Sequence, residues 1–120
     1  MKFIFQVKLR PGHSEHDYIE AWKNSSAIIQ PSDGAEGTWL YRKIGQPDTF
    51  LAIANWESIE ARDEAMKKLS ESGAEIQSVY KKHNEHGTIH IVGTFEEVAN
   101  VKGGSRKGAL VNSDQNESVD

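Results

Sequence analysis

The sequence predicts an α+β fold in which one four-stranded antiparallel sheet is backed by helices. Three observations carry that prediction. Four short runs are rich in aromatic and β-branched residues and end at Gly- or Pro-containing turns, the mark of strands. Two longer runs between them repeat their apolar residues every three or four positions, the mark of amphipathic helices. All of this fits in 120 residues, the size of one domain. A chain this long buries roughly 65% of its unfolded surface and folds without staples.

The first strand is read from Phe3, Phe5, Val7 and Leu9, which alternate with Ile4, Gln6 and Lys8. Pro11-Gly12 ends it. Ser14, with Asp17 three residues on, forms a helix N-cap. Tyr18, Ala21, Trp22, Ser25, Ile28 and Ile29 then share one helical face up to Pro31. Ser32-Asp33-Gly34 and Gly37 form a turn cluster, after which Thr38 to Ile44 reads as the second strand. The tight link Gly45-Gln46-Pro47-Asp48 makes it a hairpin with the third strand, Thr49 to Trp56. Phe50 to Ala54 is apolar without interruption, so both faces of that strand are expected to be buried.

Ser58 caps a second helix that runs to about Ser70, with Ile59, Ala61, Arg62, Ala65, Met66 and Leu69 on one broad face. Gly73 breaks it. Ala74 to Lys82 reads as a further short helix carrying Ile76, Val79 and Tyr80, and Thr88 to Phe95 as the last strand. Strand–helix–strand–strand–helix–strand is the ferredoxin-like split βαβ order. Its helices cover one face of the sheet only. An apolar opposite face calls for a cover, and a second copy of the same sheet supplies one, so a homodimer is expected. Residues 1–101 form the domain. From Lys102 periodicity stops, and the Gly-, Ser- and Asn-rich segment 102–120 is expected to be a disordered tail.

Fourteen Lys and Arg against eighteen Asp and Glu leave a net charge of −4. That balance excludes a general nucleic-acid binder, which needs a basic excess to neutralise phosphates. The absence of Cys removes disulfides, thiolate metal sites and cysteine nucleophiles, and fits a reducing compartment. The N-terminal apolar run is broken by Gln6 and Lys8, too early for a signal core. No stretch approaches a membrane span. The expected location is therefore the cytoplasm. No Gly-rich phosphate loop, nucleophile elbow or His-Glu-x-x-His helix is present.

Three segments together resemble the antibiotic biosynthesis monooxygenase domain. They are Gly34-Ala35-Glu36-Gly37-Thr38-Trp39-Leu40-Tyr41-Arg42, Gln46-Pro47-Asp48-Thr49-Phe50 and Trp56-Glu57-Ser58-Ile59-Glu60-Ala61. The resemblance spans roughly residues 2–98 and implies a dimeric α/β barrel. Family members include cofactor-free oxygenases of anthrones and quinols and haem-degrading oxygenases. The haem degraders carry Asn on the first strand, where this chain has Val7, and a Trp and His on or after the second helix. No Trp or His occurs between Glu57 and Lys82. Quinol-oxidising relatives often carry a second-helix His where this chain has Ala65-Met66.

Among candidate site residues, Trp22, Trp39 and Trp56 sit on three elements that this fold is able to bring together. An aromatic-walled cleft suits a flat quinone-like ligand, while the alternative is that these rings fill the core. Arg62 lies near the middle of an apolar helix face, where a guanidinium needs a partner. It either stabilises an anionic or enolate oxygen, makes an internal ion pair, or reaches solvent. His90, in a strand among apolar residues, is either a proton acceptor or a sheet histidine without chemistry. His13, His16, His83 and His86 are read as solvent-exposed, the last two in a loop, with no metal bound. The expected function is a cofactor-independent monooxygenase of a small aromatic or quinol-type substrate. The alternative is a non-catalytic module that binds a small hydrophobic ligand or serves only as a structural dimer.

Overall fold

The computed structural model describes residues 1–104, so most of the expected tail lies outside the described residues. The elements run β1 (Lys2–Leu9), α1 (Glu15–Ile29), β2 (Ala35–Arg42), β3 (Thr49–Trp56), α2 (Ile59–Ser70), α3 (Ala74–Glu85) and β4 (Gly87–Phe95). The strands form one antiparallel sheet in the order β2-β3-β1-β4. That is the ferredoxin-like α+β arrangement.

Both expected caps are present. Ser14 and Ser58 have extended backbones, and their hydroxyls accept from the Asp17 and Ala61 amides at 3.0 Å each. Each satisfies an amide that a helix start leaves open. Boundaries differ from expectation in three elements: β4 starts one residue early, at Gly87, and β2 ends at Arg42 and not Ile44. The second strand begins at Ala35, because Gly37, with φ of 105°, sits in a register irregularity inside the strand and not in a turn before it. The third helix continues to Glu85, so His83 is helical.

Strand alternation sorts the side chains into two faces. Val7 and Phe50 are paired across β1 and β3 and pack with Tyr18 of α1 into the core, with Phe5, Leu9, Trp22 and Leu40 against it. Ala52, Ala54 and Trp56 share the Phe50 face by parity. The opposite face carries Ile4, Gln6, Leu51 and Ile53, and by register Trp39 and Tyr41 of β2 and His90 of β4. In the single chain this side stays open: Leu51 and Ile53 are only half-buried, and Trp39 and Tyr41 are exposed. The expectation that Phe50 to Ala54 is buried on both faces therefore holds on the helix side alone.

Tyr18 has no exposure at all, and it joins three elements. Its ring lies 5.2 Å from that of Phe50 and is stacked 5.4 Å from that of His83. Its hydroxyl, however, is buried without a hydrogen-bond partner, and burial raises its pKa above the ordinary tyrosine value. An unpaired buried hydroxyl costs about 1–3 kcal/mol. Tyr18→Phe is therefore expected to keep the packing and leave stability unchanged or raised by up to about 1 kcal/mol. Urea denaturation checks this, and a loss of stability would show that the hydroxyl is satisfied.

Candidate active site

A cleft of about 760 Å³ opens between the helices and the sheet, within the range of small-molecule sites. Its floor is the helix-side face of the sheet: Phe3 and Phe5 of β1, Ala54 and Trp56 of β3, and Ile89 and Ile91 of β4. Trp22, Ser25 and Ile29 of α1 form one wall, Arg62 and Met66 of α2 a second, and Tyr80 and His83 of α3 a third. Most of the exposed lining is apolar, which suits a flat hydrophobic ligand, and polar side chains such as Gln30, Thr38, Asp63 and Gln77 stand among it to orient one.

The structure brings together three of the five residues singled out from sequence. Trp22, Trp56 and Arg62 line the cleft. Trp56 is 2% exposed and closes the floor from below. Trp39 and His90 are not there. Trp39 pairs with Ile53 and His90 with Gln6, which puts both on the opposite face of the sheet. Convergence of the three tryptophans is thus corrected to a pair. The parity of β2 against a strand apolar on both sides cannot be read from residue types.

Arg62 has partners. Its Nε and Nη2 donate to Asp63 Oδ1 at 3.2 and 3.0 Å, and its Nη1 donates to Thr94 Oγ1 at 3.1 Å. The guanidinium also lies over the Phe3 ring, 5.0 Å from its centroid, a cation–π contact. The side chain is 21% exposed, and part of its donor fork stays free for a ligand oxygen. Phe3 and Thr94 are opposite one another in the sheet, so Arg62 marks one end of the cleft.

His83 marks the other end. It stacks on Tyr18, which packs on Phe50, the register partner of Val7. Phe3 and Val7 lie four residues apart on β1, about 13 Å along the strand. His83 is not the solvent-exposed loop histidine that the sequence predicts: it is part-buried on α3, and its Nε2 is buried without a partner. Helical spacing held the signal, since Ile76, Val79, Tyr80 and His83 fall at i, i+3, i+4 and i+7. Burial, and then the neighbouring His86, hold its pKa below the usual histidine value.

The unfolded chain takes up a proton on His83 near pH 6.5, before the folded chain does, so protons favour unfolding below that pH. Stability is expected to be full above pH 6.5 and to fall as pH drops toward the lowered folded value. His83→Gln is expected to flatten part of that fall. Urea midpoints at pH 7.5 and 5.5 test it, and equal pH dependence in both proteins would count against a buried, neutral His83.

His86 caps α3 and meets His13 from the start of α1, Nδ1 to Nδ1 at 3.3 Å. No group of three or more His, Asp or Glu side chains converges into a metal-binding arrangement among the described residues. No helix among them is long and apolar enough to cross a membrane.

This sheet order, with helices on one side and a cleft beneath them, is the fold of antibiotic biosynthesis monooxygenase-type structures. SnoaB, a cofactor-independent oxygenase from Streptomyces nogalater, superposes with a TM-score of 0.67 at 11% identity, over 82% of this chain and 93% of its own. A candidate antibiotic biosynthesis monooxygenase from Bordetella bronchiseptica gives 0.59 at 19% identity, over 82% and 96%. One from Chloroflexus aurantiacus gives 0.57 at 12%, over 82% and 95%. At these identities the likeness is one of fold. No protein-family model matches the chain, and neither does any curated protein.

Proposed function

We propose that this chain is a cofactor-independent monooxygenase of a small aromatic or quinol-type substrate, bound in the cleft between the helices and the sheet. The observation that carries the reading is that cleft, with an aromatic floor and a single cation, Arg62, among its lining residues. The shared fold with an oxygenase of this kind supports it. In this reading the apolar walls hold the ring system, and Arg62 stabilises the anion left when the substrate loses a proton. The substrate anion itself then supplies the electrons that reduce oxygen, so no cofactor is required. The open sheet face, with Trp39, Tyr41, Leu51 and Ile53, is covered by a second copy of the chain. Light scattering at micromolar concentration tests that part, and a monomeric mass would remove it. The cysteine-free composition fits a cytoplasmic setting.

Oxygen uptake with a panel of anthrones and quinols tests the chemistry. Arg62→Ala is expected to lower turnover about 10²-fold, the usual effect of losing one oxyanion donor. A second reading, a non-catalytic binder of a hydrophobic ligand, is favoured by one observation: Arg62 is already bonded to Asp63 and Thr94. Quenching of tryptophan fluorescence by the same compounds without any oxygen uptake would establish the binder and overturn the oxygenase.

A further inference from the structure

The geometry points to the α1–α3 wall as the end of the cleft that recognises a hydroxyl group, with His83 accepting the hydrogen of an aromatic or enolic hydroxyl on the ligand. This deepens the cleft reading above and rests on it. Four side-chain polar atoms are buried without a partner among the described residues: Tyr18 OH, Ser25 Oγ, Tyr80 OH and His83 Nε2. Three of them belong to residues that line this wall, and the fourth belongs to the ring stacked on His83. Buried polar groups are almost always paired. Orphans gathered in one wall, and not scattered, point to a common missing partner that brings its own oxygen.

Their chemistry narrows that partner. Three hydroxyls, two of them on residues that line the cleft, donate or accept, and an imidazole with its proton on Nδ1 presents a free lone pair at Nε2. Within the cleft the one Lys or Arg is Arg62, beside Phe3, while Arg10 and Lys81 belong to the neighbouring depression on the other side of Tyr80. A carboxylate or phosphate would find no counter-charge here, whereas a neutral hydroxyl finds an acceptor. Stacking on Tyr18 fixes the imidazole plane. The titratable groups around it are Tyr18 from α1 and Tyr80 and His86 from α3, while β4 presents Ile89 and Ile91. Burial favours the neutral imidazole, the form able to accept. The ligand hydroxyl keeps its proton and donates a hydrogen bond to the Nε2 lone pair, so no charge forms at this end.

The test uses 2-hydroxyanthraquinone and its methyl ether, which are alike in shape and already oxidised, so that binding is read without turnover. Affinities come from quenching of tryptophan fluorescence in the full chain. The wild type is expected to bind the hydroxy compound about tenfold more tightly than the ether, the effect of one hydrogen bond. His83→Phe is expected to bind the two alike, and Arg62→Ala to keep the preference. Equal binding of both compounds by the wild type, or a preference that survives His83→Phe, overturns the assignment and leaves the cleft reading standing. Failure of both compounds to bind overturns both readings. Far-UV circular dichroism confirms that each variant is folded, and His83→Gln replaces His83→Phe if the latter is not. The expected result for His83→Gln is a reduced preference, and an unchanged one overturns the assignment.

Discussion

Trp56→Ala is expected to remove about 3–5 kcal/mol of stability, the usual cost of truncating a buried tryptophan. Folded domains hold only about 5–15 kcal/mol in total, so the variant stands close to unfolding at room temperature. The cause is position. Trp56 is the largest fully buried side chain, at the end of β3 where its backbone is held twice: its carbonyl accepts from the chain's first amine at 2.7 Å and its amide donates to the Met1 carbonyl at 2.9 Å. The indole also floors the cleft, so its loss opens a void beneath any ligand. Urea denaturation checks the figure. Trp56→Phe is expected to recover part of the loss, and a cost below about 1 kcal/mol for the alanine variant would mean that the floor collapses freely.

Gly34→Ala is expected to cost about 2–5 kcal/mol, from two sources that a control separates. Gly34 has φ of +85°, a conformation that charges a non-glycine residue about 1 kcal/mol or more. A Cβ there also falls 2.5 Å from Ala61 Cβ on α2, and overpacking of this kind costs about 1–3 kcal/mol. The approach is fixed by a backbone bond, since the Gly34 carbonyl accepts from the Glu57 amide at 2.8 Å. Gly45 has a similar φ of +94° with no atom near its missing side chain. Gly45→Ala is therefore expected to pay the conformational part alone. Thermal unfolding of the two variants gives the difference, and equal losses would show that α2 moves aside without cost.

Most of the fold was legible because its punctuation is local. Ser14 and Ser58 announce helix starts, Pro31 and Gly73 announce stops, and the Gly45–Asp48 link allows only a hairpin. Local chemistry is ambiguous where glycine has two meanings: Gly37, close behind Ser32-Asp33-Gly34, predicts a turn and is an irregularity within β2. The cleft was legible in part. Trp22 and Arg62 follow from helical spacing, while Trp56, at the strand–helix junction, is as buried as the core-filling alternative predicts. Trp39 was misplaced because its partner strand is apolar on both faces, so residue type carries no parity. His83 was missed because Lys81 and Lys82 look like the solvated end of a helix, although the helix runs one turn further and returns the histidine to the apolar face.

Between Ile91 and Gly93, strand β4 carries one residue more than β1 opposes: Ile91 pairs with Phe5 and Gly93 with Ile4, leaving Val92 unmatched. β4 is an outermost strand, with Ile91 and Val92 both in contact with solvent. A flat margin of that composition invites other molecules to add themselves strand by strand. The kink made by the unmatched valine spoils such a template. A redesign that straightens β4 is expected to restore that template.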